Sequence, residues 1–317
     1  MAGMPEAVLR KCRIDAGGLV PGLDGSVIAA DVFLPPPGTA PQPLAFCCLA
    51  GGGMSRAYWD LRVAGDDTYS FARWSAERGF PVITVDHLGV GDSTLRDGAC
   101  APLIGDVIAT EDAAFRLVCD ELRKTGLGAG PIPDLRTVGV GHSMGAVLMV
   151  RQQAVYRSHE AIALLGFSTK GLPDQLPPEV LTHAHRDVDD HRLAKLAQLM
   201  FGSPYAPLDG TVGDADADSP TRRAMRAAAT LTFTAGGLLS MLPGNVSDEL
   251  TRLAVPVLIL NGERDRLISG RPEDAAHCPT GSVSRVLAGS GHNHNIADSR
   301  HDFWAQLLSW AQSVIRA

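Results

Sequence analysis

Short apolar segments alternate with longer amphipathic segments along most of the chain. The segments that favour strands lie at 26–34, 44–50, 80–86, 137–141, 161–167, 255–262 and 282–289. The segments with helical periodicity lie at 69–79, 106–125, 144–156 and 300–316. Because apolar strands alternate with helices, we predict an α/β fold with a mostly parallel sheet that helices cover on both faces.

The alternation stops between residues 171 and 250. This segment contains the predicted helices 189–201 and 220–233 and no convincing strand. The simplest arrangement is a helical insert between two strands of the sheet. We therefore expect three parts: residues 1–170 form the first part of the core, 171–250 form the insert, and 251–317 form the second part of the core.

The composition indicates one large folded unit with no preference for charged polymers. The chain has 317 residues, of which 45% are hydrophobic, and its formal net charge is -7. A mildly acidic protein has no electrostatic reason to bind nucleic acid or anionic lipid. No segment resembles a signal peptide or approaches 18 consecutive apolar residues, so we expect a cytoplasmic protein without a membrane span.

The six cysteines lack the C-x-x-C spacing that is typical of metal sites. Cys47 and Cys48 are adjacent in a predicted strand, so their side chains should point to opposite faces of the sheet. We expect the thiols to be reduced and buried. The acidic loop at 214–218 lacks the glycine and the closing glutamate of an EF-hand loop, so we predict no metal site there.

Ser143 lies between Gly141 and Gly145 in the stretch GHSMG, where a predicted strand meets a predicted helix. G-x-S-x-G between a strand and a helix is typical of a nucleophile elbow. Small neighbours permit a tight turn, and the first N–H groups of the helix point at developing negative charge. A dinucleotide-binding loop fits less well, because the third glycine of that pattern would fall on Met144.

A serine nucleophile needs a base, and the base needs an acid that orients it. Two candidate acids, Glu263 and Asp265, follow one late predicted strand, and two candidate bases, His292 and His294, follow the last one. The carboxyl ends of parallel strands meet at one edge of a sheet, where ligands bind. We therefore expect an acid and a histidine to meet Ser143 at that edge.

The chain also resembles the α/β-hydrolase superfamily over nearly its whole length. Four motifs match in order: LAGGGMS at 49–55, DHLGVGDS at 86–93, GHSMG at 141–145, and NGERD at 261–265 followed by GSGH at 289–292. The resemblance implies an α/β-hydrolase fold, with a mostly parallel eight-stranded sheet, helices on both faces and a helical cap insertion. The insert would be that cap.

The resemblance also implies the catalytic residues. Ser143 would be the nucleophile, and Asp265 the acid, because the family pattern G-x-x-D ends on it. His292 matches the Gly-His turn of the family and would be the base. Glu263 remains the alternative acid. His294 would contact the substrate or the base, or lie in a surface loop.

The resemblance further implies an oxyanion hole with two N–H donors. Met144, directly after the serine, would supply one, and Gly52 the other. The usual His-Gly pair of the family reads Ala50–Gly51 here, so Gly53 remains an alternative donor.

Other residues could contact the substrate. Phe233 and Met241 are apolar candidates in the insert, and Gly53 and His294 are the other two candidates. His142 is expected to pack beside the serine, and the role of His87 is left open.

Together these features predict a serine hydrolase that cleaves a carboxylic ester or a lactone through an acyl-enzyme. The substrate would be moderately large and mainly apolar, and no metal or organic cofactor is required. A small-molecule binding protein, or an isomerase or epimerase of secondary metabolism, is the alternative. The sequence leaves the oligomeric state open, a homo-oligomer included.

Overall fold

The computed structural model describes residues 6–98, 100–183, 189–208, 219–268, 278–279 and 281–316. Its strands are β1 Val8–Asp15, β2 Val27–Leu34, β3 Leu44–Leu49, β4 Val82–Val85, β5 Arg136–His142, β6 Ala161–Leu165, β7 Tyr205–Pro207, β8 Leu231–Phe233, β9 Val257–Gly262 and β10 Val283–Leu287. Its α-helices are α1 Phe71–Ala76, α2 Ile104–Lys124, α3 Met144–Tyr156, α4 Pro178–His183, α5 Asp190–Phe201, α6 Pro220–Ala228, α7 Thr234–Met241, α8 Ser247–Arg252 and α9 Arg300–Arg316.

Eight of the strands form one sheet in the order β1-β2-β4-β3-β5-β6-β9-β10. Strand β2 is antiparallel to both of its neighbours, and the strands from β4 to β10 in this order are parallel. Every residue of the central strands β3, β6 and β9 is buried, because both faces of the sheet are covered. This explains why their sequences are almost continuously apolar. The predicted mostly parallel α/β sheet is confirmed.

A separate hydrophobic core lies on each face of the sheet. Cys47 packs into one core with side chains of α2 and α3, whereas Cys48 packs into the other with side chains of α1 and α9. The predicted opposite orientation of these two cysteines is confirmed. Cys119 is buried like these two, but the expectation that all thiols are buried is wrong for Cys12 and Cys278, which are partly buried, and for Cys100, which is exposed in the loop before α2.

Strand β1 was not predicted from the sequence. Its sequence, VLRKCRID, carries charges on both faces because it is an edge strand with mostly solvated side chains. Val8, Cys12 and Ile14 pack against one core, and Leu9 packs against the other. This strand completes the eight that the family resemblance implies.

The insert leaves the sheet after β6 and returns before β9. It is mainly helical, but it also holds a two-stranded antiparallel sheet in which Tyr205 pairs with Phe233 and Ala206 pairs with Thr232. The expectation of an insert without strands is therefore wrong, and the helix predicted at 220–233 ends at Ala228. The β-branched and aromatic residues that follow favour a strand. The acidic loop 214–218 lies outside the described residues.

Candidate active site

Ser143 lies at the junction of β5 and α3, at the carboxyl edge of the sheet. Its backbone angles are φ 53° and ψ -119°, a combination that is strained for a residue with a side chain. A β-carbon on Gly141 would overlap the backbone of Gly145 and Ala146, and one on Gly145 would overlap the carbonyl of Ala50. Both glycines are therefore required by close backbone approach, and they allow the sharp turn that presents Ser143.

His292 and Asp265 meet behind this serine. The His292 Nδ1 atom lies 2.8 Å from Asp265 Oδ2, and both side chains are buried. The other carboxylate oxygen accepts hydrogen bonds from the N–H groups of Leu267 at 2.9 Å and Ile268 at 3.0 Å. Burial raises the pKa of Asp265, but the hydrogen bond and charge of His292, with these two N–H groups, lower it below the usual value. Asp265 is therefore an ionised partner for His292.

Glu263, the alternative acid, lies elsewhere in the same loop. Its side chain is exposed, and its carboxylate accepts a hydrogen bond of 2.8 Å from the N–H of Gly289. It ties the loop after β9 to the loop after β10. Of the two candidate acids, the structure brings Asp265 to the imidazole.

His142, next to the serine, is buried and neutral. Its ring stacks on Tyr58 with the centroids 4.7 Å apart, and its Nε2 donates to the backbone carbonyl of His292 at 2.9 Å. Burial, helped by the neighbouring histidines His292 and His294, lowers its pKa well below the ordinary value. His142 packs beside the serine, as expected, and it also anchors the backbone of His292.

His294 is fully buried beneath the site. Its ring nitrogens contact Ser290 Oγ at 3.0 Å and the carbonyl of Leu260 at 3.2 Å. Burial, with the charge of His292, lowers its pKa to about 4. The surface-loop alternative is therefore wrong for His294, which ties the loop after β10 to strand β9 and does not line the cavity described below.

The turn at 86–93 supports the loop at 50–55, which follows β3, contains Gly51, Gly52 and Gly53, and is called the glycine loop below. Asp86 is buried and accepts hydrogen bonds from the N–H groups of Arg56 at 2.6 Å and Asp92 at 2.8 Å. This turn places the buried His87 so that its Nε2 donates to the carbonyl of Ala50 at 2.9 Å. The loop is therefore held by a histidine from the turn after β4, while alanine occupies the position of the family's own histidine.

The other nitrogen of His87, Nδ1, contacts the carboxylate of Glu111 on α2. Burial lowers the pKa of His87, but the charge and hydrogen bond of Glu111, with the carbonyl of Ala50, raise it above its usual value. Sequence reasoning missed Glu111 because it is remote along the chain and lies in an ordinary amphipathic helix.

Ser143 and His292 share the wall of a cavity of about 220 Å³. Gly52 and Met144 line the same cavity, and the rest of its wall is mainly apolar, with contributions from Met54, Leu172, Phe201, Leu208, Met241 and Leu267. A smaller chamber of about 30 Å³ adjoins it and shares Ser143 and His292. The candidate nucleophile and base therefore lie between a large apolar space and a small one.

Two predicted contacts lie outside this cavity. Phe233 is buried, with its ring centroid 6.1 Å from that of Tyr205, and it packs in the core of the insert. Gly53 does not line the wall, and its carbonyl accepts a hydrogen bond of 2.9 Å from Thr230. The structure thus places Met241 and Gly52 at the cavity, but not Phe233 or Gly53.

Across the part of the chain that the structure describes, no group of three or more His, Cys, Asp or Glu residues could hold a metal ion. Within the same ranges, no helix has the length and apolar character that crossing a membrane would need.

Known proteins share both the sequence pattern and the fold. The model of the Alpha/beta hydrolase family matches residues 48–307. None of the curated proteins matches the chain. Among solved structures, a thermophilic esterase from Thermogutta terrifontis has a TM-score of 0.59 and 17% identity, with 96% of this chain and 99% of that chain covered.

Two further structures are similar. The enol-lactonase from Burkholderia xenovorans LB400 has a TM-score of 0.59 and 16% identity, with 92% of this chain and 98% of that chain covered. An esterase from Exiguobacterium antarcticum has a TM-score of 0.60 and 15% identity, with 95% of this chain and 98% of that chain covered. At these identities the structures show a shared fold. With the family model covering most of its length, the chain belongs to the alpha/beta hydrolase family.

Proposed function

We propose that the protein is a serine hydrolase that cleaves a carboxylic ester or a lactone through an acyl-enzyme. The observation that carries this proposal is the placement of Ser143 and His292 in one apolar cavity while His292 Nδ1 bonds to Asp265. With Nδ1 held by the carboxylate, Nε2 of His292 is the nitrogen that takes the serine proton. Ser143 then attacks the carbonyl carbon of the substrate.

The oxyanion is stabilised by the N–H groups of Met144 and Gly52. Both residues line the cavity, and within the described residues neither N–H donates to another protein group. Met144 is the first residue of α3, so its N–H also lies at the positive end of that helix. His292 protonates the leaving alcohol and then activates the water that releases the acid.

The substrate is moderately large, mainly apolar and unequal in its two halves. The larger chamber accepts the bulky apolar half, and the smaller one takes a small group or the attacking water. The insert supplies Leu172, Phe201 and Met241 to the larger chamber and so acts as a cap that sets substrate size. The names of the neighbours, two esterases and an enol-lactonase, agree with ester or lactone cleavage.

Active-site labelling and a substrate panel test the proposal. We expect a fluorophosphonate probe to label the wild-type protein, and a panel of p-nitrophenyl esters and lactones to reveal turnover. Ser143→Ala should remove labelling and lower kcat by about four to six orders of magnitude. Ser313→Ala, on the exposed side of α9, should behave as wild type.

Turnover by Ser143→Ala at a tenth of the wild-type rate would contradict the assignment of the nucleophile. A wild-type protein that is not labelled and cleaves nothing on the panel would instead favour a non-hydrolytic member of the family.

A further inference from the structure

Backbone hydrogen bonds join residues 228–230 of the insert to residues 53–55 of the glycine loop. The N–H of Ser55 donates to the carbonyl of Ala228 at 2.9 Å, and the N–H of Thr230 donates to the carbonyl of Gly53 at 2.9 Å. Between these bonds, Met54 pairs with Ala229 in an antiparallel β-bridge. We call residues 228–230 the strap. Strand β8 begins directly after the strap, so the strap fixes the position of β8 relative to the glycine loop.

Thr232 is the residue that β8 presents to this loop. Its side chain is 2% exposed and lines the cavity, and its Cγ2 lies 3.3 Å from the position that a β-carbon on Gly52 would occupy. The hydroxyl oxygen, Oγ1, lies 3.6 Å from that same position. Gly52 and Thr232 both line the cavity, so the hydroxyl and the residue that carries the candidate oxyanion amide border the same space.

The Thr232 hydroxyl is buried without a partner. Among the described residues, no protein group forms a hydrogen bond with its Oγ1. A buried hydroxyl normally finds a partner, because leaving it unpaired costs free energy. A substrate atom in the cavity could be its partner, and because Gly52 and Met144 line the same cavity, the carbonyl oxygen of the substrate is the candidate atom.

We propose that Thr232 Oγ1 is a third oxyanion donor, which the insert contributes beside the N–H groups of Gly52 and Met144. This inference rests on the proposed hydrolase function. As Ser143 adds to the carbonyl, the C=O π electrons move onto oxygen, and the O–H of Thr232 turns toward the negative charge without giving up its proton. The bond is stronger to the oxyanion than to the neutral carbonyl, so it acts mainly on kcat.

Steady-state kinetics with p-nitrophenyl butyrate test the inference. Thr232→Val keeps the shape of the side chain and removes the donor, and it should lower kcat about tenfold or more while KM changes less than twofold. Thr232→Ser keeps the donor and should retain kcat within threefold. The rate of labelling by the fluorophosphonate should fall in parallel, because its phosphoryl oxygen would occupy the same hole.

Thr84→Val is the matched control. Thr84 Oγ1 is also buried without a partner among the described residues, but it lies in β4, away from the cavity. This variant should match the wild type in kcat and KM, and its melting temperature shows what the loss of a buried hydroxyl does to stability.

The results separate the third-donor role of Thr232 from the proposed hydrolase function. If the wild type turns over the ester and Thr232→Val matches it in kcat, or loses only in KM, the third-donor role is overturned. If Thr232→Val does not fold, Thr232→Ala replaces it with the same expected loss. Failure of the proposed function is distinct, since the wild type itself would then neither cleave the ester nor react with the probe.

Discussion

Two carboxylates follow β9, and Asp265 is the one that meets the candidate base. One of its oxygens contacts His292 Nδ1, and the other accepts hydrogen bonds from two backbone N–H groups. Glu263 faces away and binds a backbone N–H of the next loop. The same short loop therefore holds one carboxylate for orientation of the imidazole and one for packing of the loops.

This difference predicts unequal effects of isosteric amide substitutions. Asp265→Asn should lower kcat by about 10⁴, because the amide cannot stabilise the imidazolium or hold the required tautomer. Glu263→Gln should stay within tenfold of wild type, since its amide oxygen can still accept from Gly289. Rates on p-nitrophenyl butyrate check both variants, and a reversed order would show that the acid is misassigned.

The candidate catalytic residues Ser143, Asp265 and His292 could be proposed from the sequence because each belongs to a short motif at the end of a strand. Thr232 and Glu111 carry no comparable local signal, and neither does the bond from His142 to the His292 carbonyl, since these contacts join segments far apart in the chain. Burial of His294 was also not predictable, because a histidine in a polar loop has no periodicity that indicates its surroundings.

At the scale of elements, the insert both walls the cavity and supports it. Met241, at the end of α7, faces the cavity, whereas Phe233, at the end of β8, packs inside the insert. Two apolar residues of the same segment thus have different roles, which the sequence alone did not separate.

Alanine substitutions at these two positions should separate selectivity from stability. Met241→Ala should enlarge the cavity and raise the ratio of kcat/KM for p-nitrophenyl octanoate over acetate, with acetate cleavage within about tenfold of wild type. Phe233→Ala should leave that ratio unchanged and lower the free energy of unfolding by about 3–5 kcal/mol. An equal change of the ratio in both variants would contradict the assignment of the cavity wall.

The strands that were missed share a physical cause. The central strands are continuously apolar, because helices cover both faces, and their pattern is strong. Edge strand β1 is half solvated, and β7 and β8 have three residues each, too few for an alternating pattern to be recognised. Sequence patterns therefore predicted seven strands of the eight-stranded sheet and missed its edge strand β1 and the three-residue strands of the insert.

At the scale of the whole molecule, buried histidines link stability to pH. His142, His159 and His294 are buried, and burial lowers the pKa of each, to about 4 for His159 and His294. The unfolded chain takes up protons near pH 6.5, while the folded chain does not. For these groups the free energy of unfolding is therefore highest above pH 6.5 and falls as the pH drops toward 4.

His87 acts in the opposite direction. Its pKa is raised in the folded protein, so its stabilising contribution is present below pH 6.5 and is lost as the pH rises through the raised value. Asp265, whose pKa is lowered, adds a loss of stability only in stronger acid. The three histidines with lowered pKa values lose stability over the same pH range, so we expect acidification to destabilise the fold.

We therefore expect the melting temperature to fall between pH 7 and pH 5. Each histidine with a pKa of about 4 should contribute about 2 kcal/mol to the loss between pH 6.5 and pH 5. Calorimetry across this range checks the expectation. His159→Gln, remote from the cavity, should flatten the dependence. A constant or rising melting temperature on acidification would contradict it.

The strap also bears on how members of this family could be recombined. An insert transplanted from a relative would carry its own specificity pocket, but it would also replace the residues that position Gly52 and present Thr232. Under the proposed mechanism, a chimaera with crossover points at the ends of the insert would lack the contacts that assemble the oxyanion hole. A crossover placed before Ala228 keeps the strap and β8 with their native loop, and would exchange recognition while the catalytic apparatus stays whole.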